Sequence, residues 1–260
     1  MSKKSALILV NKRAKRGDDD LILSQRVLED AGINVVIHPF QEVSEIETAV
    51  RQRRSETDRI IVGGGDGTLN AALDSVLDSE LPLGIIPLGT ANDLARTLQI
   101  PFESEKAALV IARGNKIHID LGWVNGKHFF NVANVGLATH VSKTLNPDLK
   151  KRWGVLAYPF AMFNAYRVNR PFKARITCDG KVHRMRSIQI SIGNGRHYGG
   201  GLTIRHDALI DDQRLDFYSL ELQSTWQLLK SAPSIFKGTF DQGVQVSRSA
   251  AVCPKPTSYP

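Results

Sequence analysis

The sequence is poor in residues that build disulfide, zinc or membrane-spanning scaffolds. Its 260 residues include two cysteines, Cys178 and Cys253, which is too few for a disulfide framework or a zinc site and fits a reducing, cytoplasmic compartment. No apolar run approaches the roughly 18 residues that a membrane span needs. The apolar patch "ALILV" at residues 6–10 is too short for a signal-peptide core, so it predicts a first buried strand.

Several catalytic and nucleic-acid-binding motifs are also absent from the sequence. No Gly-x-Ser-x-Gly elbow is present, and the histidines show no His-Glu-x-x-His spacing, so serine hydrolase and zinc protease chemistry have no support. No RNA-recognition or helix-turn-helix pattern is present, so we expect no nucleic-acid partner.

The overall composition indicates a soluble, folded protein with anionic partners. Apolar residues make up 42% and charged residues 23% of the chain, and the formal net charge is +8. Such a charge favours nucleotides, nucleic acids or acidic lipid headgroups, and charge alone does not choose among them.

The two halves of the chain have different patterns. In the first half, short β-branched runs alternate with helical segments, one of them with a capping box at Ser44 and Glu47, which predicts a parallel sheet covered by helices. In the second half, Asn125-Gly126 and Asp179-Gly180 each join two alternating runs and predict β-hairpins. We therefore expect an α/β domain at residues 1–120 and a β-rich domain at 121–260.

The segment "GGGDGT", residues 63–68, lies between a strand and a helix. It matches neither the Walker A loop nor the Gly-x-Gly-x-x-Gly dinucleotide motif. Glycines allow backbone N–H groups to approach phosphate, and the helix start adds partial positive charge. An ordinary turn in which Asp66 caps the helix is the alternative.

The segment "GIIPLGTANDLAR", residues 84–96, repeats this arrangement. An apolar strand ends in Gly-Thr, and Asn92-Asp93 opens a helix. Because ligands bind beyond the carboxyl ends of strands in open α/β sheets, both loops would deliver glycine, threonine and aspartate to one edge. Two independently capped helices remain the alternative.

An aspartate beside phosphates makes sense if a divalent cation or metal-bound water lies between them. Asp66 would then be a metal or water ligand, or it would take a proton from an attacking hydroxyl. Asp120, in "IHIDLG", is a possible third carboxylate.

Together with "FFNVANVGL" and "GNGRHYGGGLTIRHDALIDDQRLDF", these motifs resemble the diacylglycerol-kinase-like family of bacterial lipid kinases, the YegS type. The resemblance implies a Rossmann-like N-terminal domain and a β-sandwich C-terminal domain, with ATP and the lipid in a cleft that both form. It implies catalytic roles, through a Mg²⁺–water network, for Asp66, Asp93 and Asp120. It implies nucleotide contacts for Gly64, Gly65, Asp66, Gly67, Thr68, Leu69, Asn70, Thr90 and Asn92. It also implies a structural Mg²⁺ held by the Asp212 carboxylate and the backbone carbonyls of Leu209 and Arg214.

The chain departs from the family in several places. Gln213 stands where the family has glycine, and Ala71 where it has glutamate. The chain stops at "VCPKPTSYP", where the family carries an Asp-Gly-Glu segment whose acid is the proposed base. We therefore expect a truncated member, or one that lacks the base and transfers phosphate more weakly.

The aromatic stretch at residues 150–170 lies between basic clusters. It predicts either a lipid entrance that contacts an anionic membrane or a core helix broken at Pro159.

The resulting prediction is a cytoplasmic, Mg²⁺-dependent lipid kinase, peripheral to the membrane at most. It would phosphorylate diacylglycerol, phosphatidylglycerol or a similar lipid, with ATP as donor. The alternatives are an NAD kinase-like phosphotransferase and a catalytically silent nucleotide- or lipid-binding module.

Overall fold

A computed structural model describes residues 4–12, 18–136, 171–178, 181–203, 207–220 and 253–254. The chain divides into two compact units, residues 1–131 with 197–202, and residues 132–196 with 203–260. The predicted domain boundary at residue 120 stays a prediction. In the described part of the chain, no helix has both the length and the apolar character to cross a membrane.

The first unit is built on a four-stranded parallel sheet. In sheet order its strands are β2 (Asn34–Phe40), β1 (Ser5–Asn11), β3 (Arg59–Gly64) and β4 (Leu83–Pro87). The two central strands are buried except for one terminal residue each, which is why "ALILV" and "RIIV" are continuous apolar runs. The structure confirms the predicted parallel sheet.

Helices cover both faces of this sheet. They are α1 (Asp18–Asp30), α2 (Val43–Arg53), α3 (Asp66–Ser79), α4 (Asp93–Thr97) and α5 (Ser104–Arg113). Alternate β1 residues, including Ile8 and Val10, share one buried cluster with Leu28 of α1 and Ala108 of α5. The intervening residues Leu7 and Leu9 face the opposite side, where α2 and α3 pack. Helix α5 is an element that the sequence analysis did not predict.

The capping box of α2 lies two residues earlier than predicted. The helix begins at Val43, and the Glu45 carboxylate accepts the backbone N–H groups of Glu42 at 2.7 Å and Gln41 at 3.1 Å. The prediction of Ser44 and Glu47 was wrong. Glu45 follows Glu42 at the same three-residue spacing as Glu47 follows Ser44, so the sequence offers two candidate capping boxes. The hydrogen bonds from the Glu42 and Gln41 backbone lower the pKa of Glu45.

Both predicted hairpins have paired strands in the structure. Strands β5 (Gly122–Val124) and β6 (Lys127–Phe129) are joined by Asn125 at φ +50° and Gly126 at φ +81°, the left-handed pair that a tight hairpin requires. Strands β8 (Phe172–Cys178) and β9 (Lys181–Ser187) are antiparallel. Their turn, residues 179–180, lies outside the described residues.

The second unit contains an antiparallel sheet with the order β14 (Cys253–Pro254), β13 (Arg214–Leu220), β10 (Gln189–Gly193) and β7 (Val132–Gly136). A small hairpin, whose residues 197–202 belong to the first unit, pairs β11 (His197–Tyr198) with β12 (Leu202–Thr203). Residues 150–170, the predicted lipid entrance or core helix, lie outside the described residues.

Candidate functional site

The two glycine loops start side by side because β3 and β4 are adjacent in register. Gly64 at the end of β3 pairs with Pro87 at the end of β4, and the Leu88 N–H donates to the Gly64 carbonyl at 3.1 Å. The first loop leads into α3 and the second into α4. The structure therefore places both loops at the carboxyl edge of the sheet, where α/β folds bind ligands.

The loops pack backbone against backbone. A Cβ atom on Gly89 would lie 2.4 Å from the Gly65 Cα and 2.7 Å from the Asn92 Oδ1. Because no side chain fits in that space, glycine is required at this contact. The distance between the two loops is thus set by contact between their backbones, and neither loop can shift toward the other.

Gly67 has a different environment from the other glycines of the first loop. A Cβ on Gly64 would clash with the Thr68 side chain, whereas a Cβ on Gly67 would meet nothing within 4 Å. Gly67 is exposed in the first turn of α3 and has no positive φ. Nothing in the fold requires glycine here, and its smallness leaves space above the start of α3.

The Asp66 carboxylate points toward the second loop. Its Oδ2 accepts the N–H of Asp93 at 3.0 Å, and its Oδ1 accepts the N–H of Leu94 at 3.0 Å. These are the first two residues of α4, so Asp66, which begins α3, caps the neighbouring helix. These two hydrogen bonds, together with the partial positive charge of the α4 start, direct the carboxylate toward α4. Asp66 therefore joins the two loops, a geometry that spacing alone did not predict.

Asn131 contacts the same carboxylate. Its Nδ2 donates to the Asp66 Oδ1 at 3.1 Å, and its side chain is buried. Because a carboxylate only accepts, the amide nitrogen must face Asp66. The Asn131 Oδ1 is then a buried acceptor with no hydrogen-bond partner among the described residues. Buried acceptors of this kind call for a water or a ligand donor.

Asn92 closes the second loop on itself. Its Oδ1 accepts the Gly89 N–H at 3.0 Å, and its Nδ2 donates to the Gly89 carbonyl at 2.9 Å and the Pro87 carbonyl at 3.4 Å. Asn92 is buried at φ +51°, a left-handed conformation that asparagine tolerates. The structure gives its side chain a loop-closing role, and its contact with a nucleotide stays a prediction.

Asp93 is 4% exposed and binds a third glycine segment. Its Oδ2 accepts the Gly200 N–H at 2.9 Å, and its Oδ1 accepts the Gly201 N–H at 2.7 Å. Both glycines have positive φ, +93° and +99°. In addition, Thr97 Oγ1 lies 3.2 Å from the His197 Nδ1 at the start of the same segment. Residues 197–202 thereby belong to the site.

The remaining predicted nucleotide contacts lie around the first turns. Thr68 is half-buried and Thr90 is exposed, whereas Leu69 is 2% exposed and packs in the core. The Asn70 Oδ1 accepts the Phe130 N–H at 3.2 Å and so joins α3 to the chain after β6. Thr68 and Thr90 are the residues of this group whose hydroxyls suit a ligand at the loops.

Asp120 lies in the first unit, in the segment between α5 and β5, and is half-buried. It makes an interaction with the rest of the protein. Its catalytic role stays a prediction.

The predicted structural Mg²⁺ loop forms a tight turn in the second unit. The Asp212 Oδ1 accepts the Arg214 N–H at 3.0 Å, and Gln213 has φ +58°. Gln213 thus adopts the left-handed conformation that glycine would adopt more easily. The Leu209 side chain is 54% exposed, and the neighbouring Ile210 is buried. An oxygen-only set from Asp212 and two carbonyls fits the preference of Mg²⁺.

Within the described ranges, no group of three or more histidine, cysteine, aspartate or glutamate side chains is arranged to hold a metal ion. The contacts of Asp66 use three of its roughly four acceptor sites. This carboxylate can therefore accept one further donor, such as a metal-bound water.

Sequence reasoning missed two parts of this site. Gly200 and Gly201 are 107 and 108 residues from Asp93, and Asn131 is 65 residues from Asp66. Both parts lie in motifs on which the family resemblance rests, "GNGRHYGGGLTIRHDALIDDQRLDF" and "FFNVANVGL", but the resemblance assigned these residues no role. Their roles depend on long-range contacts.

Two family models match the chain, one on each half. The diacylglycerol kinase catalytic domain matches residues 5–124. The YegS C-terminal NAD kinase β-sandwich-like domain matches residues 131–253 and supports the predicted β-sandwich.

Individual proteins agree with these family matches. A "Probable lipid kinase YegS-like" of Yersinia enterocolitica is 32% identical over 244 residues, which cover 92% of this chain and 81% of that protein. A "Diacylglycerol kinase" of Mycobacterium tuberculosis is 36% identical over 204 residues, covering 75% and 65%. A crystal structure of a diacylglycerol kinase from Bacillus anthracis str. Sterne superposes with a TM-score of 0.71 and 27% identity, covering 96% and 82%.

Proposed function

The chain belongs to the YegS-type, diacylglycerol-kinase-like family of lipid kinases, and we propose that it transfers the γ-phosphoryl group of ATP to the hydroxyl of a glycerolipid. Diacylglycerol and phosphatidylglycerol are the acceptors we put first. The observation that carries this proposal is the Asp66 bridge, which closes the start of α4 and leaves the start of α3 open.

The phosphates of ATP would bind at the start of α3. In α3 the N–H groups of Thr68 and Leu69 donate to the Gly65 carbonyl at 2.9 and 3.0 Å, so a phosphate would meet the N–H groups of Asp66 and Gly67 and the partial positive charge of the helix start. The open space at Gly67 lets a phosphate oxygen come close to the backbone. The hydroxyls of Thr68 and Thr90 would donate from either side.

Asp66 and Asp93 act in this proposal as positioning residues. Asp66 fixes the second loop against the first, and Asp93 fixes the 197–202 segment against α4. Phosphoryl transfer depends mainly on holding the donor and acceptor in line and on neutralising charge. The Asn131 Oδ1, buried next to Asp66, would accept a hydrogen bond from bound water or substrate. Asp120 remains a proposed catalytic carboxylate.

We propose that Mg²⁺ enters with the nucleotide as the Mg·ATP substrate and keeps most of its water ligands. The remaining acceptor site of Asp66 would receive one of those waters. A second Mg²⁺ would be held by the Asp212 carboxylate and the carbonyls of Leu209 and Arg214, where it would stabilise the turn before β13. Chelation should then lower the melting temperature of wild-type protein and leave Asp212→Asn unchanged.

The direct test uses purified protein, radiolabelled ATP and neutral detergent micelles that contain one acceptor at a time. The panel comprises diacylglycerol, phosphatidylglycerol, a sphingoid base and, as a soluble acceptor, NAD. Labelled lipid that disappears in excess chelator and in Gly67→Ala supports the proposal. Labelled NAD would support the NAD kinase-like alternative. ATP binding without any labelled product would indicate a silent binding module.

A further inference from the structure

The β8–β9 hairpin of the second unit carries cations in an unfavourable arrangement. Its register places Lys173 directly opposite Arg186, and Arg175 directly opposite Arg184. Residues directly opposite each other share one face of a hairpin, and residues two positions along a strand share that face as well. The four cations therefore form a single patch, which we call the basic face.

The two strands of the hairpin contribute no acidic side chain to balance the basic face. Neither strand contains aspartate or glutamate, and the nearest acid in sequence, Asp179, belongs to the turn outside the described residues. All four cations are exposed, and among the described residues none of them takes part in a salt bridge. Like charges directly opposite each other destabilise a hairpin. The fold therefore tolerates a cost here that an anionic partner would remove.

The basic face also carries an exposed apolar side chain. The next opposed pair on the same face is Thr177 and Val182, and Val182 is 54% exposed. Cations beside an exposed apolar side chain match the boundary between lipid headgroups and acyl chains.

We propose that the basic face docks the protein onto the surface of an anionic phospholipid membrane. The choice of a membrane over other polyanions rests on the proposed function, because a lipid acceptor resides in a bilayer. The formal charge of +8 for the whole chain acts in the same direction. Each cation near an anionic bilayer contributes about a fivefold gain in partitioning, so the patch supplies a substantial part of the binding.

The test compares vesicles of equal parts phosphatidylcholine and phosphatidylglycerol with vesicles of phosphatidylcholine alone, without ATP. Wild-type protein is expected to co-sediment with the anionic vesicles and to be released by high salt. The double variant Lys173→Gln/Arg184→Gln removes one cation from each opposed pair. It is expected to bind anionic vesicles about 25-fold more weakly, at about a fivefold loss per cation.

A matched control removes the same charge elsewhere. Arg51→Gln/Lys116→Gln takes two exposed cations from the first unit and is expected to bind within about twofold of wild type. Unfolding is controlled by the melting temperature, which should stay level or rise in Lys173→Gln/Arg184→Gln because like-charge repulsion is relieved. Reversal with Lys173→Glu/Arg184→Glu should raise the melting temperature further and abolish vesicle binding.

Three results would overturn the inference. One is unchanged vesicle binding by the hairpin variants, and another is an equal loss in the control variant. The third is tighter binding of a single-stranded oligonucleotide than of anionic vesicles, lost in the same variants, which would assign the face to nucleic acid.

Activity separates this inference from the proposed kinase function. Phosphorylation of diacylglycerol in neutral micelles should be unchanged in Lys173→Gln/Arg184→Gln, and phosphorylation in anionic vesicles should fall. If micellar activity is absent from wild type while vesicle binding still depends on the hairpin, the kinase proposal fails and the docking surface stands.

Discussion

The two glycine loops share a sequence pattern and differ in how the start of the following helix is capped. Each runs from a buried strand through glycine to a helix that starts with aspartate. The start of α4 is closed by Asp66 from the other loop and by the Asn92 hydrogen bonds. The start of α3 has Gly65 at its N-cap, which supplies no side-chain cap. Asp66 of the first loop therefore caps the helix of the second loop, and the start of its own helix keeps no side-chain cap, which is where we propose that phosphate binds.

The strongest way to break this pairing is Gly89→Ala. The added Cβ would overlap the Gly65 Cα at 2.4 Å, so both loops must move apart. We expect a loss of about 3 kcal/mol in the free energy of unfolding, and loss of ATP binding. Chemical denaturation and calorimetric titration with ATP measure the two effects.

Gly67→Ala is the matched counterpart, since its Cβ meets no atom. Alanine in the first helical turn should leave stability level or raise it by up to about 1 kcal/mol. ATP affinity should still fall, because the methyl group occupies the space proposed for phosphate. Wild-type ATP affinity in this variant would show that the start of α3 is not the phosphate site.

Asp66→Asn tests the bridge between the loops. The amide offers one acceptor oxygen in place of two, so an N–H at the start of α4 loses its partner. We expect a loss of about 2 kcal/mol in unfolding free energy and a fall in kcat greater than the change in KM for ATP. Asp78→Asn, an exposed aspartate on α3, is the control and should change neither quantity.

Tyr198 tests the segment that Asp93 holds beside α4. Burial raises the pKa of Tyr198 to about 12 from its ordinary value of 10.0. The buried neutral phenol therefore stabilises the fold fully below pH 10.0, and this stabilisation is lost as the pH rises toward about 12. Over that window we expect roughly 2 kcal/mol less stability in wild type than in Tyr198→Phe, relative to neutral pH. Parallel alkaline denaturation curves for the two proteins would contradict this assignment.

The smallest effect is expected at α2, which a glutamate of its own sequence caps. Hydrogen bonds from the Glu42 and Gln41 backbone lower the pKa of Glu45 below its ordinary value of 4.5. The carboxylate thus stabilises the fold above pH 4.5 and loses that effect as the pH falls through its lowered pKa. Glu45→Gln should unfold slightly more easily at neutral pH, with a difference that vanishes in acid. A difference that persists in acid would point to a cause other than charge.

Most elements of the first unit could be predicted because their signals are local. Continuous apolar runs at "ALILV" and "RIIV" indicate buried parallel strands, and Asn125-Gly126 indicates a hairpin. The exact residue that caps α2 could not be predicted, because Glu45 and Glu47 are both suitable acceptors and packing selects between starts. Helix α5 was missed although its Ala108 is buried in the cluster with β1.

The location of the candidate site could be predicted, but its hydrogen bonds could not. Both glycine loops meet at one edge of the sheet because the consecutive strands β3 and β4 are adjacent. The direction of the Asp66 side chain does not follow, because its partners are 27 and 28 residues away. The approach of Gly200 and Gly201 to Asp93 depends on a chain path through the β-rich half.

The sequence by itself determined which residue types stand at the ends of β3 and β4, since glycines, threonines and acids there are set by the chain alone. It also determined the opposed cations of the β8–β9 hairpin once the register was formed. Only the tertiary structure decided that Asp66 serves α4 and leaves α3 open, because a hydrogen bond between distant residues exists only after the core has brought them together. Local propensity acts over a few residues, whereas the use of a carboxylate depends on the donors that folding places around it.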